Sequence, residues 1–198
     1  MTKEEARKTF LQKRLALSEG AYQQFNFQLY NQFFTQIDLS FIKCIHIFLP
    51  IENKREPDTW PIIDRIRREF SHIRISIPKV VGDQLENIYF EGLHQLKKNK
   101  WGILEPEQGL PTPTEKIDIA IVPLLAVDVL GNRVGYGKGF YDRFLARCRP
   151  DCQRIGISFF DTIEKLENVD LTDVRLTRCL TARCLFTFGS NPSERNPT

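Results

Sequence analysis

No C-x-x-C pair occurs in this chain, although it holds five cysteines. Cys44, Cys148, Cys152, Cys179 and Cys184 are odd in number and widely spaced, so neither a disulfide framework nor a zinc site is indicated, and reduced thiols are the simplest account. No apolar run approaches the length that crosses a bilayer, and the charged N-terminus lacks the apolar core of a signal peptide. Both absences point to a cytoplasmic protein with no membrane partner. There is no basic stripe either. The formal charge is +3 and the cations are scattered, which argues against an RNA- or DNA-binding protein. Only three histidines occur, His46, His72 and His94, isolated from one another; no Ser-His-Asp or Cys-His set can be assembled, and structural roles suit them best. No internal repeat and no composition break divides the 198 residues, so one domain over 1–188 is expected, followed by a disordered polar tail at 189–198.

What is present centres on Ile117 to Cys148. Ile117, Ile119, Ile121 and Val122 form a short β-branched run suited to a buried strand. Gly131-Asn132 marks a turn, and Gly135, Gly137 and Gly139 then alternate with Tyr136 and Lys138. A helical pattern follows, with Phe140 and Phe144, then Tyr141 and Leu145, at i,i+4 and Cys148 beyond. Strand, glycine loop and helix in that order make an anion-binding corner. Glycines let backbone N–H groups approach a phosphate, and the new helix aims its free N–H groups at the same spot. Arg133, Lys138 and Arg143 add positive charge, and Asp142 is a hard oxygen ligand placed to hold Mg²⁺ against phosphates. The plain alternative is a tight turn, but a turn alone has no use for so much charge. The loop is neither a Walker A sequence nor a G-x-G-x-x-G fingerprint.

The segment from Val122-Pro123 through GNRVGYGKGFYDR resembles the signature of the 5-formyltetrahydrofolate cyclo-ligase (methenyltetrahydrofolate synthetase) family. The resemblance implies an α/β fold: a single-domain three-layer sandwich on a mostly parallel sheet, of the NagB/RpiA/CoA-transferase kind. It implies ATP and 5-formyltetrahydrofolate as substrates and Mg²⁺ as cofactor. ATP would lie against Arg133, Val134, Gly135, Tyr136, Gly137, Lys138, Gly139, Phe140 and Tyr141, with Tyr136 to Phe140 also touching the folate. Lys138, Arg133 and Arg7 would carry the catalysis.

Along the rest of the chain, Thr2 and Glu5 form a capping box opening a helix, with Ala6, Phe10, Leu11 and Leu15 as its apolar face. Lys3 and Arg7 stand at i,i+4 on another face, with Arg14 two turns on; a solvated basic face is the plain reading. The family resemblance instead places Lys3 and Arg7 on the nucleotide phosphates. Ser18 caps a second helix carrying Tyr22, Phe25, Leu29, Phe33 and Ile37. Phe41 to Leu49 reads as a strand, and the loop after its carboxyl end is where ligands bind in open α/β sheets. A carboxylate there, Glu56 or Glu52, could accept two hydrogen bonds from an aminopyrimidine edge or be a solvated loop charge. The resemblance favours Glu56 and adds Leu49 as a substrate wall. Later come a helix after Thr59, strands at His72–Pro78 and Leu85–Phe90, and a Trp101-Gly102-Ile103 element. Trp101 could stack on a flat ring or fill the core; the resemblance places it against folate. Arg154–Phe159, Leu176–Leu180 and Cys184–Phe188 read as further strands, with a loop and one helical turn over 161–172. Asp173 matches the family's second Mg²⁺-side carboxylate, although the usual Pro and His beside it are absent. The rivals are another α/β enzyme using the corner for a sugar phosphate or coenzyme A, and a non-catalytic nucleotide or folate binder. A monomer is favoured.

Overall fold

A row of isoleucines organises the molecule. In the computed structural model, which describes residues 1–99 and 102–189, Ile47, Ile121 and Ile155 stand in register on three adjacent parallel strands. The elements in chain order are α1 (Lys3–Leu15), α2 (Glu19–Gln36), β1 (Cys44–Ile47), α3 (Trp60–Glu69), β2 (Arg74–Val81) and β3 (Gln84–Tyr89). Then come β4 (Leu96–Lys98), β5 (Leu104–Pro106), β6 (Ile119–Pro123), β7 (Ala126–Val127), β8 (Arg133–Val134) and α4 (Phe140–Leu145). The strands β9 (Gln153–Ser158), β10 (Arg178–Thr181) and β11 (Leu185–Thr187) complete it. Seven strands form the main sheet in the order β11-β10-β9-β6-β1-β2-β3. The five central strands run parallel and the edge strands β3 and β11 are antiparallel to their neighbours.

The parallel strands are apolar on both sides because both faces are covered. On one face Ile45, Ile47, Ile119, Ile121, Ile155 and Ile157 meet Leu29 and Phe33 of α2 and Ile62, Ile63 and Ile66 of α3. On the other, Cys44, Ala120, Val122 and Cys179 meet Phe144 and Leu145 of α4. This is the expected three-layer α/β sandwich on a mostly parallel sheet. α1 caps one end, packing Ala6 and Phe10 on the small β7–β8 hairpin through Ala126 and Val134. No helix among the described residues is long and apolar enough to cross a membrane.

Both helix caps at the start are as expected: the Thr2/Glu5 box closes α1, and the Ser18 hydroxyl accepts the Ala21 N–H. Several boundaries differ. β1 begins only at Cys44, and Phe41 is 88% exposed in the turn that precedes it. Pro78 does not end β2, which continues to Val81 in a hairpin with β3. Leu15 is exposed while Arg14 is buried, so the buried stripe of α1 runs 6, 10, 14. No helix forms over 161–172; side-chain bonds such as Leu166 N–H to Asp128 hold that loop instead. Trp101 and residues 190–198 lie outside the described residues, so the stacking expectation for Trp101 and the tail expectation have no structural counterpart here.

Gly156 in β9 marks where the layers approach most closely. A Cβ there would lie 2.4 Å from a Leu124 methyl and 2.6 Å from a Leu176 methyl. Gly156→Ala is therefore expected to destabilise the fold by about 1–3 kcal/mol through overpacking, seen as a lower urea midpoint with unchanged slope. An unchanged midpoint would mean that both leucines repack at no cost.

Candidate active site

The sheet reverses its winding between β1 and β6: β2 and β3 are added on one side, β9 and β10 on the other. Ligands in open α/β sheets bind at the carboxyl end of such a switch point. Three loops leave the parallel strands there: 48–59 after β1, 124–139 after β6 and 159–177 after β9. They bring together most of the residues singled out from the sequence.

The glycine loop is shaped by two left-handed residues, Gly137 (φ 86°) and Gly139 (φ 67°), which side chains other than glycine rarely tolerate. Gly137 also has the Arg7 guanidinium 3.3 Å from where a Cβ would sit. The five successive amides of Gly135 to Gly139 donate to no acceptor among the described residues. Such a run of open donors, turned by two left-handed glycines, has the character of a nest that can take an anion. The helix that follows is short, six residues ending at Leu145, with the chain turning on to Cys148, so it adds less dipole than a long helix would.

The cations divide sharply. Arg133, 9% exposed, gives one nitrogen to an Asp142 oxygen at 2.7 Å and another to the Val174 carbonyl. Lys3 holds Asp170 at 2.8 Å and also Asp173. Arg7 donates its Nε to the Gly135 carbonyl at 3.0 Å, bracing the loop from α1. Arg143 is spent on the Asp83 and Lys138 carbonyls. Lys138 alone among these has an exposed side chain that pairs with none of the described residues. Arg133 is thus already neutralised in this state, unlike the free charge its sequence position suggests.

Asp142 also accepts the Val174 N–H at 3.0 Å, a bond to the residue after Asp173. Mg²⁺ is a hard cation usually held by one or two carboxylates plus phosphate oxygens and water, and Asp142 and Asp173 are carboxylates of the kind it takes. No group of three acidic, histidine or cysteine side chains exists among the described residues, so a site made wholly of protein ligands is not on offer.

Across from the nest, Glu56 is 2% exposed. One carboxylate oxygen accepts the Ile51 N–H and the other the Tyr136 hydroxyl, both at 2.8 Å. Glu52 sits on an exposed single turn. Burial pushes the Glu56 carboxyl above the ordinary carboxylate range, against the pull of Ile51, Tyr136 and Arg14. Burial, helped by the facing Glu56, likewise raises the Tyr136 phenol. Leu49, two residues beyond β1, is 5% exposed in the core layer beneath this loop.

His46 is fully buried and its ring lies 4.6 Å from the Phe144 ring. Desolvation lowers its pKa to about 3, so it stays neutral and structural, with Nε2 3.2 Å from the Tyr141 hydroxyl. Two open hollows, about 250 Å³ beside Arg74 and Tyr89 and about 410 Å³ beside Ile37 and His72, lie at the amino ends of the strands. Neither is lined by the glycine loop.

A family model described as the 5-formyltetrahydrofolate cyclo-ligase family matches residues 1–181. The chain belongs to that family. Among relatives of this cyclo-ligase family member, the probable 5-formyltetrahydrofolate cyclo-ligase of Schizosaccharomyces pombe is 32% identical over 109 residues, 52% of this chain and 51% of that protein. The 5-formyltetrahydrofolate cyclo-ligase of Escherichia coli K12 is 30% identical over 139 residues, covering 68% and 74%. The match thus spans about half the length of the first relative and three quarters of the second. The solved structure of Aquifex aeolicus 5,10-methenyltetrahydrofolate synthetase superposes with a TM-score of 0.82 at 26% identity, covering 99% of this chain and 97% of that one.

One cyclo-ligase residue at the site was not assigned from the sequence: Arg14. It belongs both to the cationic row with Lys3 and Arg7 and to the i,i+4 stripe with Ala6 and Phe10. The second spacing was the signal that it turns inward.

Proposed function

We propose that this chain closes 5-formyltetrahydrofolate to 5,10-methenyltetrahydrofolate, consuming ATP with Mg²⁺ and releasing ADP and phosphate. The observation that carries this is the run of open amides from Gly135 to Gly139, with Lys138 beside it, facing the buried Glu56 across the switch point. A triphosphate fits a nest of N–H groups, and a pterin-like edge fits a carboxylate held at the other end.

The formyl oxygen on N5 is amide-like and a poor leaving group. Transfer of the terminal phosphoryl group to that oxygen makes it displaceable; N10 then attacks the formyl carbon, its proton passes to solvent, and the C–O bond breaks as phosphate leaves. Such chemistry demands positioning and charge neutralisation more than covalent participation by the protein. Lys138 would meet the transferring phosphoryl group, with Arg7 and Arg133 fixing the loop and Lys3 turning from its aspartates to phosphate. Asp142 and Asp173 would hold Mg²⁺, which supplies further charge neutralisation when bound. Leu49, Trp101 and Tyr136 to Phe140 would wall the folate, with Glu56 gripping the pterin.

The test is direct: purified protein with 5-formyltetrahydrofolate should show growth of the methenyl absorbance band only when ATP and Mg²⁺ are present, with one ADP per turnover. ADP release without the band, or tight binding without either, would reject the reaction.

A further inference from the structure

Arg14 is 3% exposed at the last turn of α1, an unusual place for a guanidinium. Every one of its three nitrogens is committed. Nε donates to the Lys54 carbonyl at 2.8 Å, Nη1 to the Leu124 carbonyl at 3.2 Å, and Nη2 to the Tyr136 hydroxyl. Those acceptors come from three different segments: the loop after β1, the segment after β6, and the glycine corner itself. The Tyr136 hydroxyl in turn donates to Glu56, whose second oxygen is fixed by the Ile51 amide. A planar fork of rigid donors can span three such acceptors, whereas an ammonium on a flexible stem cannot.

We propose that Arg14 is a positioning residue of this site: through Tyr136 and the Lys54 carbonyl it fixes the separation between the Glu56 carboxylate and the glycine loop, and so sets the affinity for the aminopyrimidine end of the substrate. The proposal rests on the folate reading above and adds a residue that touches neither substrate. Its charge has a second consequence. Glu56 is buried, and Arg14 is the cation whose field favours its ionised form. The other groups facing Glu56 are Tyr136 from the glycine corner, Tyr141 from α4, and Tyr22 of α2, whose hydroxyl donates to the Glu56 backbone carbonyl. On its own loop Lys54 and Asp58 are half-buried, and Arg55 lies over the Tyr22 ring with its guanidinium paired to Glu19. None of these replaces a cation held against the Tyr136–Glu56 pair.

The experiment compares wild type, Arg14→Gln and Arg14→Lys. Michaelis constants for 5-formyltetrahydrofolate and for ATP are measured from acid to neutral pH. The Glu56 carboxyl is titrated in the free proteins by infrared difference spectroscopy, with Glu56→Gln assigning the band. Arg14→Gln should raise the folate KM on the order of 10²-fold, the usual cost of a small displacement in a preorganised site, with the ATP KM little changed. It should also move the acid limb of folate affinity, and the carboxyl titration, to higher pH. Arg14→Lys should hold the limb and titration near their wild-type position while still losing affinity, because charge is kept and the fork is lost.

Equal rises in both Michaelis constants with an unmoved limb would show that Arg14 merely supports packing, and overturn the proposal. So would a wild-type folate KM in Arg14→Gln. Should Arg14→Gln not fold, Arg14→Lys and Tyr136→Phe decide, since both sever the fork-to-Glu56 link without leaving Glu56 wholly uncompensated: unaltered folate KM in both refutes it. Should wild type fail to convert 5-formyltetrahydrofolate at all, the folate reading falls and the affinity claim with it. The carboxyl titration still reads the Arg14–Glu56 coupling without ligand.

Discussion

Lys138→Ala is expected to reduce kcat by about 10²–10³-fold, equivalent to about 3–4 kcal/mol of transition-state stabilisation, with little change in melting temperature. The size follows from how the other cations are used. Arg133 is tied to Asp142 and Val174, Arg143 to two carbonyls, and Lys3 to two aspartates. Each is already held by protein acceptors, so part of its attraction to phosphate is offset. Lys138 has an exposed side chain with no partner to surrender among the described residues. Its charge is therefore available in full when phosphoryl charge develops between ATP and the formyl oxygen. The stability side follows from the same facts: an exposed, unengaged lysine contributes almost nothing to the fold. Single-turnover rates with saturating ATP and folate measure the effect free of product release. Turnover within a few-fold of wild type would remove Lys138 from the chemistry and leave the nest as a binding feature only.

The sequence made the glycine corner legible because its requirements are local. Positive φ at Gly137 and Gly139, a strand before them and a helix after them are all written within one short segment. The sheet was legible for a similar reason: doubly covered parallel strands need β-branched runs, and Ile45, Ile119, Ile121 and Ile155 supply them. What could not be read was how charges pair across distant segments. Lys3 and Asp173 are 170 positions apart, Arg133 meets Val174, and Arg14 meets Tyr136 only because α1 folds over the β7–β8 hairpin. A cation's spacing on a helix shows its face, while the partner on that face belongs to tertiary structure. The choice between Glu52 and Glu56 was undecided for the same reason. Burial separates them, one exposed and one enclosed under Tyr136, and burial is not a local property.

Glu56→Gln should divide function from stability in opposite directions. Two charge-assisted hydrogen bonds to an aminopyrimidine edge are worth roughly twice their neutral counterparts, and an amide presents a donor where the ligand also donates. The folate KM should rise on the order of 10²–10⁴-fold, while ATP affinity, set across the cleft by the nest, stays near wild type. Wild-type folate affinity should itself decline on acidification, with a limb above the ordinary carboxylate range because burial raises the Glu56 pKa. Stability should move the other way. A carboxyl whose folded pKa is raised favours the fold while it is protonated, and that contribution is lost as pH rises through the folded pKa. At neutral pH the wild-type fold therefore carries the cost of a buried carboxylate that Gln does not. Urea midpoints should show Glu56→Gln more stable than wild type at neutral pH, with the difference shrinking as the pH falls below the wild-type limb. A carboxylate that weakens its own fold, yet is enclosed beside the glycine loop, fits the pterin grip proposed for it. If Glu56→Gln bound folate normally and gained no stability, Glu56 would be neither the pterin grip nor the buried charge described, and the cleft opposite the nest would need another occupant.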